Sequence, residues 1–253
     1  MIDGIGIAAS AEARDDPRAS DWPFLQRPVP RLRPEDFPGR WNPRRALPPD
    51  LDPLPGAAAM ALEDAGWWRR GSGEGCPGAL VVASDRASFI PGARFVRSLR
   101  EGVSPGPSDF LFALPSSAAA VLGMLFGLTD YQATAVGGPR AGRIALGHAL
   151  DLLRLGRHER ILVAALGVVP GSGPPLRLAA ALCLRQGAAR YPVEVELRGD
   201  EIRLERTAGE GGKRLPAGAR SASWAFQDMA PRPLACAARW LEGAEVEGND
   251  RSP

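Results

Sequence analysis

The residues whose types and spacing could perform chemistry lie at a predicted turn between a strand and a helix. Residues 132–136 have the pattern of a short apolar strand, and a helical pattern begins near Arg140. The turn between them reads Gly137-Gly138-Pro139. A strand–turn–helix of this kind can hold a nucleophile where the amide groups and dipole of a helix N-terminus favour a thiolate or an oxyanion. Because this turn contains no Cys, Ser or Thr, the sequence predicts the frame of a nucleophile site without a nucleophile.

The remaining candidate nucleophiles and bases are isolated from one another. The cysteines are Cys76, Cys183 and Cys236, and His148 and His158 are the only histidines. Without a CxxC pair or a group of histidines, no metal site is expected. We interpret Cys183 as a packed side chain, His148 as packed or partly exposed, and His158 as solvated. Cys76 falls in a Gly/Pro-rich loop, where it could react, but it has no adjacent His or Lys to activate it.

Composition limits the class of protein. The chain has 253 residues, of which 45% are hydrophobic, and a formal net charge of +2. This is enough apolar material for a core and too little positive charge to indicate nucleic-acid binding. Apolar runs such as residues 161–169 are too short to span a membrane. We expect one large or two small domains in the reducing cytoplasm, with no targeting segment, metal or cofactor.

Hydrophobic periodicity predicts strands that alternate with helices. The predicted strands are 2–8, 78–84, 132–136, 160–166 and 178–184; the predicted helices are 55–67, 89–100, 116–126 and 140–155; residues 11–55 and 102–109 are predicted to be irregular. A hairpin over 193–204, turning at Gly199-Asp200, adds antiparallel strands at an edge. The alternation predicts an α/β protein with a mixed, mainly parallel five-stranded sheet and helices on both faces.

Several short segments occur in an order that is typical of one family. They are Gly4-Ile5-Gly6, the segment AMALEDAG at 59–66, Phe126-Gly127-Leu128, Gly147-His148-Ala149, the strand ILVAA at 161–165 and the strand AAALCL at 179–184. Together they resemble the N-terminal half of a β-ketoacyl synthase, which has the thiolase fold. The resemblance covers roughly residues 1–206. It implies a half of the thiolase fold, with the late hairpin at an edge and a short C-terminal helix.

The resemblance also identifies what the turn replaces. Counting without gaps from the FGL motif at 126–128 brings the catalytic cysteine position of the family to Pro139. Residues 137–140, Gly-Gly-Pro-Arg, therefore stand where catalytic members carry their Thr-Ala-Cys motif. Proline supplies neither a nucleophile nor an N–H for an oxyanion hole. The two catalytic histidines of the family's second half have no counterpart after residue 206. The resemblance thus implies no catalytic residue and no independent activity.

Chain-length-factor-like relatives of this kind pair with a full-length, active β-ketoacyl synthase. The resemblance implies that this chain forms such a heterodimer, shapes its acyl tunnel and meets an acyl carrier protein transiently, during fatty-acid, polyketide or aryl-polyene-type elongation. The implied tunnel and interface residues are Phe110, Phe112, Leu114, Pro115, Met124, Gln132, Ala133, Thr134, Ala135 and Val136. If residues 110–115 are extended, Phe110 and Phe112 point the same way.

Other interpretations stay open. Residues 137–139 could be an ordinary turn with a proline early in a helix, and Phe110 and Phe112 could fill this chain's own core. The protein could be a homodimeric acyl-binding or scaffold protein without a ketosynthase partner. It could also be a hydrolase or acyltransferase that uses one of the serines, for which no base is evident. The candidate serines are Ser84, Ser116 and Ser172.

The predicted organisation has four parts. Residues 1–206 form the ketosynthase-like domain, 207–229 a linker, 230–243 a C-terminal helix that packs on the body or the partner, and 244–253 a disordered tail.

Overall fold

The protein is described here from a computed structural model. The described residues are 1–9, 31–39, 53–84, 89–169, 176–187, 193–198, 201–206 and 224–225. Cys236, Ser172, the predicted helix at 230–243 and the predicted tail at 244–253 lie outside them.

A five-stranded sheet forms the centre of the fold. Its strands are β1 (Ile2–Ala9), β2 (Ala79–Ser84), β3 (Tyr131–Ala135), β4 (Arg160–Val169) and β5 (Leu176–Arg185). The strand order is β1-β5-β4-β2-β3. β2 pairs in parallel with β3 and β4, whereas β5 pairs antiparallel with β4 and β1. Four strands therefore run in one direction and only β5 opposes them, so the prediction of a mixed, mainly parallel sheet is confirmed.

Within the described residues, five α-helices connect or cover these strands. They are α1 (Pro53–Asp64), α2 (Phe89–Arg100), α3 (Pro107–Ala113), α4 (Ser117–Phe126) and α5 (Ala141–Arg154). Four of them agree with the predicted helices to within a few residues. None of the helices in the described ranges is by itself long and apolar enough to cross a membrane; only α3 and α4 taken together, bent by 100°, meet those measures.

The helix α3 was not predicted, and it corrects the conformation expected for residues 110–115. Residues 102–109 were predicted to be a loop because of their Gly and Pro content. In the structure Pro107 occupies the start of α3, where its missing N–H costs nothing and its fixed φ suits a helix. Asp109 in the first turn also suits the helix dipole. Phe110 and Phe112 therefore lie on a helix and do not point the same way.

The predicted hairpin exists but occupies a different sheet. Its strands, β6 (Val193–Arg198) and β7 (Glu201–Arg206), pair antiparallel as expected. They join β8 (Trp224–Ala225) in a separate three-stranded sheet, so they do not extend the five-stranded one. The alternating pattern indicated a hairpin with one wet face but not which strand would pair with it. β8 falls inside the segment predicted to be a linker.

Small residues let α1 approach the sheet closely. A Cβ atom added at Gly4 would collide with the carbonyl oxygen of Ala61, and one at Gly6 with that of Ala57. The alanines of α1 that face the sheet are fully buried. The close contact between β1 and α1 thus requires glycine on the strand and alanine on the helix. These small residues belong to two of the family-like segments, Gly4-Ile5-Gly6 and the segment at 59–66.

On the same side of the sheet, an aromatic cluster joins segment 31–39 to the body. The ring centroids of Phe37, Trp68 and Phe126 lie 5.2–6.1 Å apart, and two of the three pairs meet edge to face. Such pairs stabilise the fold beyond the contribution from burying the rings. Phe37 thus fastens the proline-rich segment to the body.

Candidate functional site at the edge of the sheet

The strand β3 forms one edge of the sheet. It pairs with β2 alone, and among the described residues no strand lies on its other side. Its sequence, Tyr-Gln-Ala-Thr-Ala over 131–135, contains no charge and no proline. Edge strands of monomeric proteins usually carry such residues, because their unpaired N–H and C=O groups otherwise pair with another chain. This edge has no such protection.

The chain leaves β3 and turns into α5 through the predicted strand–turn–helix. Gly138 has φ +56°, in the left-handed region that favours glycine. Gly138–Arg140 form a single 3-10 turn that contains Pro139, and α5 follows at Ala141. The geometry of the predicted elbow is therefore present. It also agrees with an ordinary helix start, because proline is favoured there.

Hydrogen bonds within the turn occupy the groups that an oxyanion would need. The Arg140 N–H donates to the Gly137 carbonyl at 3.2 Å. The Ala141 N–H donates to the Gly138 carbonyl, and Pro139 has no N–H. Arg140 itself carries an exposed guanidinium and no nucleophile. The turn therefore offers neither a nucleophile nor free amides at the position where an acyl group would be attacked.

The described cysteines are unsuited to replace the missing nucleophile. Cys76 and Cys183 are free and fully buried. Burial raises the pKa of Cys76 to about 11 and raises the pKa of Cys183 well above its ordinary value. Both thiols are therefore protonated and shielded at neutral pH. The prediction of a buried Cys183 is confirmed, whereas Cys76 is inside the core although its loop sequence suggested an accessible thiol.

The histidines meet at the opposite end of β3 from the turn. The Tyr131 hydroxyl and His148 Nε2 are hydrogen-bonded at 2.7 Å. The rings of His148 and His158 lie 5.7 Å and 5.5 Å from the Tyr131 ring. Since a strand advances about 3.3 Å per residue, this cluster is roughly 13 Å or more from the turn. His148 is half-buried, as the interpretation of a packed or partly exposed side chain held; His158 was expected to be solvated but is half-buried against Tyr131.

The serines do not form a recognisable catalytic pair. Ser84 is buried at the end of β2, and Ser116 occupies the N-cap position of α4. Within the described ranges, no hydrogen bond joins either of them to a histidine. No group of three or more His, Cys, Asp or Glu side chains there is placed to hold a metal ion.

The predicted tunnel residues fall into separate environments. Phe112 is buried and packs in this chain's own core, as the alternative interpretation held. Phe110 is 56% exposed and rests on Phe95 of α2, with 5.5 Å between ring centroids. Leu114 and Met124 are exposed, and so is Leu111, which the sequence interpretation left out. Leu111 lies on α3, and Leu114 is the residue that caps the C-terminal end of this helix.

The residues predicted to form an interface lie on the edge strand β3 or directly after it. Gln132 folds over Gly123 of α4, and its Nε2 donates to the Leu128 carbonyl at 2.9 Å. Ala133 and Thr134 are half-buried, whereas Ala135 is buried; Pro115, between α3 and α4, is also half-buried.

An apolar rim continues beyond the strand. Val136 is exposed, and Ile144 of α5 is exposed beside the turn, against Gly137. Ile144 was not among the residues predicted to form the interface.

The comparisons with known proteins concern the fold. The sequence matches no protein-family model and no curated protein. Among solved structures, it is similar to a ketosynthase in complex with its chain length factor from Xenorhabdus doucetiae, at 22% identity over 47% of this chain and 52% of that chain, with a TM-score of 0.39. It is similar to the ishigamide ketosynthase/chain length factor, at 17% identity over 77% of this chain and 66% of that chain, with a TM-score of 0.47.

A third similar structure is a β-ketoacyl synthase from Burkholderia phymatum STM815, at 16% identity over 74% of this chain and 58% of that chain, with a TM-score of 0.49. The chain spans between 52% and 66% of the length of these three structures. At these identities and TM-scores the similarity concerns the fold alone.

Proposed function

We propose that this chain is a noncatalytic, ketosynthase-like subunit that pairs along β3 with an active β-ketoacyl synthase and helps to shape the acyl tunnel of the pair. The partner classes, including an acyl carrier protein that brings the growing chain, come from the sequence resemblance. The observation that carries the proposal is the turn at 137–140: it keeps the frame of a nucleophile site, lacks a nucleophile and adjoins an unprotected strand edge.

The lack of catalysis follows from the turn itself. Pro139 can neither attack a thioester nor donate a hydrogen bond. The amides of Arg140 and Ala141 already donate within the turn. A condensing reaction at this position would lack both the attacking atom and the donors that stabilise negative charge in its transition state.

Pairing along β3 satisfies the groups that the edge leaves open. A second strand beside β3 would accept its outward N–H groups and cover the side chains that border it. The exposed apolar side chains around the edge are Met124, Val136 and Ile144. An uncharged edge bordered by apolar side chains is suited to a partner strand and poorly suited to water.

The tunnel contribution is assigned to the exposed face of α3 and its neighbour α4. Leu111, Leu114 and Met124 are large, apolar and exposed, so a partner subunit can enclose them. Phe112 is excluded because it fills this chain's own core. Phe110 is excluded because its ring rests on α2. These residues replace the tunnel residues predicted from the sequence. The proposed role is unchanged: apolar side chains close one end of an acyl cavity.

The pairing is tested by placing a charge on the edge. Ala133 is the suitable position, since it is half-buried, whereas an aspartate at the buried Ala135 would unfold this chain by itself. We expect Ala133→Asp to abolish co-purification with a tagged ketosynthase, because an unpaired charge buried at an interface costs about 3–5 kcal/mol. Leu155→Asp is the matched control, because Leu155 is 71% exposed and lies outside the edge. Undiminished pairing of the folded Ala133→Asp variant would place the interface elsewhere.

A homodimeric acyl-binding or scaffold protein is the second candidate, because the same unprotected edge can pair with a second copy. Purification of the chain alone separates the two. A stable homodimer that retains lipid and ignores a co-expressed ketosynthase supports the second candidate; a chain that is stable only with the ketosynthase supports the first.

A further inference from the structure

The two faces of the edge strand β3 carry different side chains. Successive residues of a strand point to opposite faces. The Tyr131 hydroxyl bonds a histidine of α5, so the odd-numbered residues of β3 face α5. The Gln132 side chain folds over Gly123 of α4, so Gln132 and Thr134 face α4. The α4 side of the edge therefore carries two neutral polar groups, an amide and a hydroxyl.

The neighbouring strand β2 leaves both polar groups unsatisfied. Gln132 pairs with Leu80 of β2, and Thr134 pairs with Val82. Both β2 residues are fully buried aliphatic side chains, which have no hydrogen-bonding group to offer. The Gln132 Nε2 donates to the Leu128 carbonyl, but among the described residues its Oε1 and the Thr134 hydroxyl have no hydrogen-bond partner. Their partners must therefore come from solvent or from a molecule that covers this edge.

A strand that pairs along β3 would exclude solvent from both groups. Residues directly opposite each other on neighbouring strands have Cβ atoms about 4.5–5.5 Å apart, so their side chains meet. A polar group that is covered and left without a hydrogen bond weakens an interface, whereas a matched pair is tolerated or favoured. A strand with aliphatic residues opposite both Gln132 and Thr134 is therefore disfavoured, and such rejection is a source of specificity.

We propose that Gln132 and Thr134 determine which strand pairs with β3. They select a ketosynthase strand that places a hydrogen-bond donor opposite Gln132 and, two residues away on the same face, an acceptor opposite Thr134. Ser, Thr, Asn and Gln side chains supply these groups. The inference rests on the proposed pairing through β3 and adds the chemistry that the partner strand must carry. A second copy of this chain competes for the edge, because an antiparallel register centred on Ala133 brings its Thr134 opposite Gln132.

The test lets two forms of the full chain compete for one ketosynthase. The wild-type chain and a variant carry different epitope tags and are co-expressed with a limiting amount of a tagged β-ketoacyl synthase. The ratio of the two captured chains is compared with their ratio in the lysate. We expect Thr134→Val to reduce capture about five- to tenfold, because the group that bonds the hydroxyl is left buried and unpaired. Thr134→Ser keeps the hydroxyl and should be captured within about twofold of the wild type.

Thr129→Val is the matched control and should be captured as the wild type is, since Thr129 is exposed and precedes β3. Gln132→Leu should lose capture as Thr134→Val does, with thermal unfolding used to check that each variant is folded. Equal or stronger capture of folded Thr134→Val would overturn the proposal, because its hydroxyl then has no partner in the complex. A loss confined to self-association, measured by sedimentation equilibrium, would also overturn it and assign the two residues to a second copy. If the ketosynthase does not capture the wild-type chain, the proposed pairing itself is wrong, and this inference fails with it.

Discussion

At the scale of single residues, Pro139 determines what this chain can do. The preceding glycines permit the turn, and Gly138 adopts a backbone conformation that other residues rarely take. Proline then fixes the first turn of the helix, while its neighbours' amides are used locally. The result is a stable start for α5 and a chemically inert one. The catalytic alternative would need an attacking atom at this same place.

An electrophile that modifies the nucleophile of condensing enzymes should therefore leave this turn untouched. Residues 137–141 contain no thiol or hydroxyl, and Cys76 and Cys183 are buried and protonated. We expect intact-mass and peptide mass spectrometry of the native protein, after treatment with a cerulenin-type epoxide, to show no adduct at these positions.

A variant gives the matched comparison. Pro139→Cys places a thiol in the turn, and we expect it to become labelled but not to restore condensation. The Arg140 N–H still bonds Gly137, and both histidines lie at the far end of β3. Turnover by Pro139→Cys alone, or a covalent acyl adduct on the wild-type chain, would show that this chain has catalytic groups that the turn does not reveal.

At the scale of elements, the strands and most helices could be predicted because each shows a single pattern along its length, either a continuous apolar run or helical spacing of apolar residues. β2 and β4 are continuous apolar runs buried on both faces. α5 shows helical spacing from Ala141 onward. The strand order, in contrast, depends on contacts between distant segments such as β1 and β5. No local pattern could say that β3 would be an edge; that expectation came from the resemblance.

Helix α3 shows why the prediction from local sequence was wrong at the site. Gly and Pro dominate residues 102–107, so a loop was expected to continue. Pro107 instead begins a helix of only seven residues, about two turns, which is too short for a repeated hydrophobic spacing to be recognised. The error changed the chemistry assigned to the site: it put Phe112 in a tunnel, whereas this ring fills the core, and it omitted Leu111.

Stability measurements can test this division of α3 into a packed and an exposed face. We expect Phe112→Ala to lower the free energy of unfolding by about 3–5 kcal/mol, because it leaves a cavity in the core. Leu111→Ala, on the exposed face, should change it by less than about 0.5 kcal/mol. Urea unfolding monitored by circular dichroism compares the two. Similar losses for both variants would contradict the assignment of faces.

At the scale of the whole molecule, the two edge strands of the sheet differ. β1 contains the charged Asp3, and its Gly4 and Gly6 let α1 pack closely against its face. β3, at the other edge, contains no charged residue and is bordered by exposed apolar side chains. Under the proposed function the partner pairs with β3, and the exposed face of α3 is the part of this chain that would enter the partner's acyl cavity.

We therefore expect substitutions on the exposed face of α3 to change the length of the acyl product that the pair makes. With the ketosynthase co-expressed, Leu111→Ala removes an apolar side chain that closes the cavity, and the space admits added methylenes, each worth roughly 0.8 kcal/mol when buried. We expect the product distribution, measured by mass spectrometry, to shift to longer chains while the complex stays intact. Leu155→Ala is the control for an exposed leucine outside the rim and should leave the distribution unchanged. An intact complex whose product length ignores Leu111→Ala, and equally Leu114→Ala and Met124→Ala, would remove this face from the tunnel and leave the subunit with pairing as its role.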